Sequence, residues 1–420
     1  MSELLDRHHR VMGGHAPLFY EDPLTLQSGN GVWLENLNGD RYLDLYNNVP
    51  CVGHANARVV ANLSEQAATL NVHSRYLHEG VVNYVERLVG LHHEGIESAI
   101  LGCSGTEATE MALTLARTVT GSRGIICTDA TYHGNSSLVG RLTALPVGVE
   151  RNGVKSISTP QLFRPFHDGL SEAELLQKHL DQLETTIASF ADSGGFAGIM
   201  LCSILANEGL PNPPARWFAE ATAMVADAGG LVIADEVQAG FARSGSWWGY
   251  ETSDFTPDVV CMGKPMGNGF PLSAMAASHE MVTKFRERHR YFNTFASSPL
   301  QAAAGSAVID EIIERGLVRQ VAEVGTRLKA ALTELQSQHP QMGDVRGTGL
   351  FIGIDWVEPG TNNPDVVGAQ RMVESLKSRF VLLGKAGQHG NVLKIRPPLV
   401  FEDEHAELFL EAFKDSLNNA

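Results

Sequence analysis

The fold is constrained most by an alternation of short apolar segments with helix-forming segments between residues 97 and 278. Residues 97–103 (ESAILGC) are apolar and strand-like, and residues 106–119 then carry apolar side chains at helical spacing. Further apolar, strand-like segments lie at 123–129, 196–206, 230–237, 257–263 and 271–278. Apolar strands separated by helices, with glycine at the turns, are typical of a mostly parallel sheet that helices cover on both faces. The sequence therefore predicts an α/β fold.

The chain has 420 residues, which is too long for one ordinary hydrophobic core. The alternating pattern predicts a large ligand-binding α/β domain over residues 61–300. Residues 1–60 contain short strand-like pieces, and residues 301–420 contain long helices followed by strand-like runs at 343–357 and 391–401. We expect these two end regions to form a smaller α+β domain together.

The charge and cysteine content exclude several functions. Lysine and arginine total 32 against 48 acidic residues, a net charge of −16, so nucleic acid and anionic membrane surfaces are not expected partners. No apolar stretch is long enough to span a bilayer. The five cysteines form no C-x-x-C pair, so neither a metal site nor a disulfide framework is indicated. Together with an N-terminal segment that lacks a signal-peptide pattern, this favours a cytoplasmic location.

A lysine follows one of the apolar segments, in the sequence CMGKPMGNGFPLSA (261–274). Gly263, Gly267 and Gly269 surround Lys264 and would let a bulky planar ligand approach the backbone. A lysine after a strand is usually solvated. A buried lysine instead has a depressed pKa, and its neutral amine can attack a carbonyl.

Two other strand ends carry ligand-binding groups. Asp235 ends the strand-like LVIADEV, where a carboxylate is costly to bury unless a cation meets it, although it could also cap a helix. In GCSGTEATE (102–110) a strand turns into a helix, and Ser104, Gly105 and Thr106 offer hydroxyls and free backbone N–H groups. Such a turn can bind an anion or simply cap the helix.

Tyr132 and His133 follow the strand-like segment 123–129. An aromatic ring at a strand end can stack on a flat ligand, or it can belong to the core. Sheets of this kind bind ligands at the carboxyl ends of their strands, so we expect all these groups to meet. Pyridoxal 5'-phosphate would satisfy them together: Lys264 would form a Schiff base with its aldehyde, and Asp235 would keep its ring nitrogen protonated.

The segments IADEVQAGFARSG (233–245) and MGKPMGNGFPLSA (262–274) resemble those of the class III, fold-type I family of pyridoxal-phosphate enzymes. The resemblance covers nearly the whole chain and implies a homodimer with shared active sites, in which Thr294 reaches the phosphate bound by the other subunit. It also implies that Val237 lies against the ring face and Gln238 near the ring hydroxyl. The implied cofactor-binding residues are Ser104, Gly105, Thr106, Tyr132, His133, Asp235, Val237, Gln238, Lys264 and Thr294.

Several segments look closest to a narrower branch of this family: YNNVPCVGH (46–54), SRYLHE (74–79), GKPMGNG (263–269) and QHGNVLKIRPPLVF (388–401). That branch mixes aminotransferases with phospho-lyases, which eliminate phosphate and ammonia from amino-alcohol phosphates such as phosphoethanolamine.

The chain departs from the family pattern at positions around the substrate. Cys103 stands where asparagine is usual, and Ser203 stands where an acid is usual. Lys394 replaces an arginine that grips carboxylates, and Lys385 is the nearest match to the arginine of a mobile loop. Lysine binds an anion through one compact charge, whereas arginine can form two parallel hydrogen bonds to a carboxylate. Bidentate carboxylate binding is therefore weakened. Tyr76, Lys385 and Lys394 are the candidate substrate-binding residues.

The resemblance predicts an aminotransferase with an amine or ω-amino donor and a keto acid or aldehyde acceptor such as pyruvate. Lys264 would act as general base in a ping-pong reaction. The alternative is a phospho-lyase, which shares every step as far as proton removal. A binding or scaffold protein on a retired enzyme fold is disfavoured by the retained site, and a serine hydrolase by the absence of a G-x-S-x-G motif.

Overall fold

The computed structural model describes residues 3–419, which form fifteen β-strands and twelve α-helices. The strands are β1 (Leu26–Asn30), β2 (Trp33–Asn36), β3 (Arg41–Asp44), β4 (Ser98–Gly102), β5 (Gly124–Thr128), β6 (Val154–Ile157), β7 (Phe196–Cys202), β8 (Leu231–Asp235), β9 (Val259–Met262), β10 (Ser273–Ala277), β11 (Met342–Thr348), β12 (Phe351–Trp356), β13 (Val381–Leu382), β14 (Gly384–Ala386) and β15 (Val392–Ile395). The helices are α1 (Glu3–Met12), α2 (Ala57–Thr69), α3 (Glu79–Val89), α4 (Gly105–Thr120), α5 (Glu172–Ala188), α6 (Trp217–Asp227), α7 (Gly249–Thr252), α8 (His279–Arg288), α9 (Pro299–Glu314), α10 (Leu317–Gln336), α11 (Val366–Ser378) and α12 (Asp403–Asn419).

Seven strands form the central sheet, in the order β4-β10-β9-β8-β7-β5-β6. The pairs β6–β5, β5–β7, β7–β8 and β8–β9 are parallel. Strand β10 is antiparallel to both of its neighbours, β4 and β9. The predicted α/β fold with a mostly parallel sheet is therefore confirmed.

The central strands are apolar because both faces of the sheet are covered. Strands β5, β7, β9 and β10 are buried along their whole length. Successive side chains point to opposite faces, so Ile125 and Cys127 join the core that contains α4, while Ile126 joins the core that contains α6. Burial on both sides explains why these segments read as continuous apolar runs.

Two segments differ from the sequence prediction. Strand β7 ends at Cys202, whereas the predicted strand continued to residue 206. The apolar residues beyond it, including Leu205, lie in a buried turn and not in the sheet. Strand β6 (Val154–Ile157) was not predicted because its four residues include a lysine and a serine, too short and too polar a pattern.

The two ends of the chain contribute the remaining sheets. Strands β1, β2, β3 and β13 form one sheet, in which Leu43 pairs in parallel with Val381. The strand-like run 343–357 forms the hairpin of β11 and β12, with Gly349 at a positive φ of 54° in the turn. Strands β14 and β15 complete that second sheet. The domain boundaries at residues 60 and 300 stay predictions.

Within the described residues, no helix combines the length and apolar character needed to cross a bilayer.

Candidate active site

Three strand ends meet at the carboxyl edge of the central sheet. They are the turn from β4 into α4, the end of β8 and the end of β9. A Cβ atom at Gly263, after β9, would lie 3.3 Å from Cα of Gly105 and 3.4 Å from Cγ1 of Val237. The glycines therefore let the backbones of the β4 and β9 turns approach each other beside Val237.

Lys264 begins a short 3₁₀ turn, Lys264–Gly267, directly after β9. Its φ of 26° lies in the left-handed region, which is unfavourable for a residue with a side chain. Asn268 holds this turn by accepting a hydrogen bond from the Val52 N–H at 3.0 Å and donating one to the Gly53 carbonyl at 2.9 Å. The strained backbone is thus fixed by a distant part of the chain.

The amine of Lys264 is available for chemistry. Burial lowers its pKa, while the negative charge of Asp235 opposes the shift and the positive charge of Arg396 adds to it. Among residues 3–419, no group hydrogen-bonds to its Nζ atom. A buried lysine with a lowered pKa and a free amine is suited to act as a nucleophile and as a base.

Asp235 is buried at the end of β8 and is held by two groups. Its Oδ2 atom lies 2.6 Å from Nδ1 of His133, and its Oδ1 atom accepts a hydrogen bond from the Val237 N–H at 3.0 Å. The other ring nitrogen of His133 lies 2.9 Å from Oγ1 of Thr131. The sequence predicted that His133 would bind the cofactor, and the structure places its ring against the carboxylate of Asp235.

The predicted anion cradle lies at the N-terminus of the sixteen-residue helix α4. Ser104 is the N-cap residue, and its Oγ accepts a hydrogen bond from the Glu107 N–H at 3.3 Å. The hydroxyl of Thr106 donates to Oδ1 of Asn135 at 3.3 Å. A Cβ atom at Gly105 would lie 2.9 Å from Cγ1 of Val237, so a larger residue would collide with that wall. The free N–H groups at this helix end favour a bound anion.

Two walls of the site are linked through Asn207, which the sequence did not single out. Its side-chain N–H donates to the Tyr132 carbonyl at 2.8 Å, and its Oδ1 accepts a hydrogen bond from the Gln238 amide at 2.9 Å. Tyr132 is partly exposed, and Val237 and Gln238 are buried. Asn207 lies in the turn after β7, where no motif marked it.

Arg396 is a second residue that sequence reasoning missed. It is buried, and its Nη1 donates to Oε1 of Gln238, which also accepts a hydrogen bond from Nζ of Lys394 at 3.2 Å. Its Nε donates to the Tyr46 carbonyl at 3.0 Å. The sequence did contain a signal for this residue. Lys394 was singled out by its position three residues before a Pro-Pro pair, and Arg396 stands directly before the same pair.

The three candidate substrate-binding residues have different surroundings. Lys394 is buried and donates to the Ala206 carbonyl at 2.9 Å, and burial and the charge of Arg396 hold its pKa well below the usual value. Lys385 is half-buried on β14, and burial lowers its pKa. Tyr76 is exposed and stacks on His73 with ring centroids 5.3 Å apart. In the described part of the chain, no hydrogen bond joins any of the three to Lys264.

Among the described residues, no hydrogen bond joins Thr294 or Ser203 to Lys264. Thr294 is exposed, and no hydrogen bond to a described residue involves its side chain. Ser203 donates to Oε1 of the buried Glu236 at 2.5 Å, and the N–H groups of Gly249 and Tyr250 also donate to that carboxylate. Burial raises the pKa of Glu236 to about 7. This carboxylate therefore anchors the start of α7.

Comparison with known proteins agrees with the class that this site indicates. Solved transaminases share the fold, and the match to the class III aminotransferase family over residues 20–417 makes the protein a pyridoxal-phosphate-dependent enzyme of fold type I. The sequence profile of the family described as aminotransferase class-III matches residues 20–417. The chain belongs to this class III aminotransferase family.

Three relatives cover nearly the whole chain. An alanine–glyoxylate aminotransferase 2-like protein of Drosophila melanogaster is 33% identical over 99% of this chain and 87% of its own length. Ethanolamine-phosphate phospho-lyase homolog 1 of Caenorhabditis elegans is 32% identical over 96% of this chain and 90% of its own. A phospholyase from Arthrobacter, solved in complex with phosphoethanolamine, is 38% identical with a TM-score of 0.95 and covers all of both chains.

The described residues fit pyridoxal phosphate on three observations. Lys264 presents an amine without a hydrogen-bond partner among them. Asp235 presents a buried carboxylate whose position His133 fixes at 2.6 Å. The N-terminus of α4, capped by Ser104, presents backbone N–H groups that have no partner within the helix, as expected where a phosphate binds. Lys264 would bind the aldehyde carbon of the cofactor, and Asp235 would pair with its ring nitrogen. The N-terminus of α4 would bind its phosphate.

Proposed function

We propose that the protein is a phospho-lyase that converts an amino-alcohol phosphate such as phosphoethanolamine, with water, into an aldehyde, ammonia and phosphate. The observation that carries the proposal is the buried guanidinium of Arg396, which forms no ion pair within residues 3–419. Its contacts are uncharged: the Tyr46 carbonyl, the Tyr46 ring at 4.9 Å and the Gln238 amide oxygen. An anionic ligand in direct contact would add to the longer-range negative charge of the buried Asp44, which forms no ion pair with Arg396. A guanidinium binds phosphate through paired hydrogen bonds.

Electrostatics relate Arg396 to the reacting amine. The charge of Arg396 lowers the pKa of Lys264 and that of Lys394. Lys264 and Lys394 therefore share one region with the guanidinium of Arg396, whose positive charge would attract a phosphate dianion bound there. In the proposed reaction, Arg396 binds the phosphate of the substrate and so orients the carbon–oxygen bond that breaks.

Lys264 and Asp235 supply the proton chemistry. Bound pyridoxal phosphate supplies an aldehyde that takes up the substrate amine and a ring that withdraws electrons. Asp235, held by His133, keeps a positive charge on the ring nitrogen. Lys264, whose pKa burial lowers, takes the proton from the carbon that bears nitrogen. Phosphate then leaves the neighbouring carbon while Arg396 balances its charge.

The comparisons support this choice of substrate class. The Arthrobacter phospholyase was solved with phosphoethanolamine, and one of the curated relatives is named a phospho-lyase homolog. Lys394 also supports it, because its buried amine donates to the Ala206 carbonyl and Gln238. At most one N–H then remains for a substrate carboxylate, fewer than a paired contact needs.

An aminotransferase is the second candidate, and it is the function that the sequence predicted. The alanine–glyoxylate aminotransferase 2-like relative supports it. Lys264 and Asp235 would perform the same proton removal, with an amine or ω-amino donor and a keto acid or aldehyde as acceptor. The two candidates differ after proton removal, because a transferase consumes a second, carbonyl substrate and a lyase does not.

The test exploits this difference. The purified holoenzyme is incubated with phosphoethanolamine alone, and free phosphate and aldehyde are assayed over many turnovers. The phospho-lyase proposal predicts equal amounts of both without any keto acid. Single-turnover behaviour, together with alanine formation from pyruvate and an amine, would contradict it and favour the transferase.

We also propose a homodimer with shared sites, located in the cytoplasm. Apolar side chains are exposed in two neighbouring segments, 73–77 and 292–295, where Arg75 lies 4.3 Å from the centre of the Phe292 ring. Leu77 is fully exposed and Phe295 is 77% exposed. A contiguous apolar patch of this kind is typical of a protein interface. Thr294 lies within it, in agreement with its expected reach into the partner's site.

A further inference from the structure

We propose that Glu107 couples the two phosphate-binding elements of each subunit: the cradle at the start of α4, and the segment that carries Thr294. This inference rests on the proposed dimer with shared sites. Glu107 is a positioning residue in it, because it acts through the groups that it holds. The consequence is that cofactor binding in one subunit depends on the cofactor site of the other.

One oxygen of the Glu107 carboxylate holds the cradle. The backbone N–H of Cys103 donates to its Oε2 at 2.7 Å. The backbone N–H of Glu107 itself donates to the side chain of Ser104 at 3.3 Å. A Cβ atom at Gly102 would lie 2.9 Å from the same Oε2, so glycine at that position lets the carboxylate lie beside the strand end. The carboxylate therefore fixes the peptide that leads into Ser104, Gly105 and Thr106.

The other oxygen holds the Thr294 segment. The Tyr291 hydroxyl and the Asn293 amide donate to Oε1, the latter at 2.7 Å. The Oδ1 atom of Asn293 in turn accepts hydrogen bonds from the N–H groups of Phe295 at 2.8 Å and Ala296 at 3.1 Å. Glu107 thus fixes the residues on both sides of Thr294.

A second tether runs parallel to the first. The buried side chain of Gln301 donates to the Gly102 carbonyl at 3.0 Å, and its Oε1 accepts a hydrogen bond from the Ser297 N–H at 2.7 Å. Two side chains therefore join the end of β4 to the segment 291–297. A displacement of the cradle on binding phosphate would be transmitted through them to Thr294 and from there to the partner's site.

The carboxylate form of Glu107 is essential to this role, because it accepts hydrogen bonds on both oxygens. A glutamine has one acceptor oxygen and one N–H₂ group, so it can satisfy either the Cys103 N–H or the Tyr291–Asn293 pair, but not both. Glu107→Gln keeps the shape of the side chain and breaks the link. Hydrogen bonds to a charged group contribute enough to change an affinity about tenfold.

The experiment is a double-mutant cycle on cofactor affinity. Pyridoxal phosphate is titrated into the cofactor-depleted dimer and followed by absorbance, for the wild type, Glu107→Gln, Thr294→Ala and the double variant. We expect each single change to weaken binding about tenfold and the double variant to be little weaker than either. Glu97→Gln is the matched control, since Glu97 accepts the His279 N–H at 2.9 Å at the other end of β4 and should leave affinity unchanged.

The outcomes separate this inference from the dimer proposal. Suppose that the protein is a dimer and that Thr294→Ala weakens cofactor binding. If Glu107→Gln then has no effect, or if the losses of the two single variants add up fully in the double variant, the coupling is wrong and the shared site stands. If the native mass is that of a monomer, or if Thr294→Ala leaves affinity unchanged, the shared site is wrong and the coupling falls with it. Thermal unfolding of the cofactor-free variants shows whether a loss of cofactor affinity is caused only by a less stable fold.

Discussion

The carboxylate of Asp235 lies 2.6 Å from Nδ1 of His133, and both side chains are buried. A carboxylate can only accept hydrogen bonds, so Nδ1 carries the proton. In the neutral ring, Nε2 is then the acceptor for the Thr131 hydroxyl at 2.9 Å. The chain Thr131–His133–Asp235 therefore fixes the position of the carboxylate that would pair with the ring nitrogen.

Replacing His133 tests whether this orientation matters. His133→Ala should lower kcat/KM about 10- to 100-fold, the range expected when a buried charged group loses a hydrogen bond. Thr131→Val is the matched control, since it removes only the outer hydrogen bond and should cost much less. Equal losses in the two variants would show that His133 supports the fold and does not orient Asp235.

Asp235→Asn should cost several orders of magnitude in kcat. A neutral amide cannot hold a proton on the ring nitrogen, and an unprotonated ring withdraws electrons poorly. Circular dichroism and cofactor content should stay close to wild type, because asparagine keeps the shape. A mild loss of kcat would mean that another group protonates the ring.

Arg396→Gln should raise the KM for phosphoethanolamine about 100-fold, because a charge-assisted contact to phosphate is lost. The variant also removes the positive charge that lowers the pKa of Lys264. That pKa should rise, so the acidic limb of the kcat profile should move to higher pH. Arg327→Gln, at a half-exposed surface ion pair with Asp403, is the control. An unchanged KM would remove the basis of the phospho-lyase proposal.

His179 predicts a pH dependence of stability that is separate from the active site. It is buried on α5 against Phe166, both ring nitrogens lack hydrogen-bond partners among the described residues, and burial lowers its pKa from 6.5 to about 4. Because the folded pKa is depressed, the charged form is favoured only after unfolding. The contribution of the neutral His179 to the free energy of unfolding is complete above about pH 6.5, and it is lost as the pH decreases toward 4.

Between pH 7 and pH 5 this histidine should cost about 2 kcal/mol of unfolding free energy. The His179→Phe variant should show a correspondingly smaller decrease over that interval in denaturant titrations at fixed protein concentration. His389→Phe, which changes an exposed histidine, should decrease like the wild type. Parallel pH profiles for the wild type and His179→Phe would contradict the prediction.

The sequence predicted the sheet and the strand ends because burial on both faces leaves a plain apolar signal. It did not predict that β10 runs antiparallel to β4 and β9, since an apolar run carries no direction. It extended β7 to residue 206 because the turn that contains Leu205 is itself buried. Core burial was thus easy to predict, and chain direction and turn boundaries were not.

The site could be predicted only in part. Lys264, Asp235 and the cradle of Ser104, Gly105 and Thr106 stand at strand ends, and the topology brings those ends together. Asn207, Glu107 and Arg396 act through contacts across long separations, such as the 158 residues between Gln238 and Arg396. No local pattern encodes such a contact, and the inward direction of Lys394 was equally unpredictable.

The proposed chemistry depends on Lys264 holding the cofactor. The holoenzyme is treated with borohydride, digested and analysed by mass spectrometry, with Lys264→Ala and the control variant Lys155→Ala, at a partly exposed lysine of β6, alongside. We expect the mass of reduced pyridoxal phosphate on the peptide that contains Lys264, in the wild type and Lys155→Ala but not in Lys264→Ala. Label on any other lysine, or an unlabelled wild-type protein, would contradict this role of Lys264.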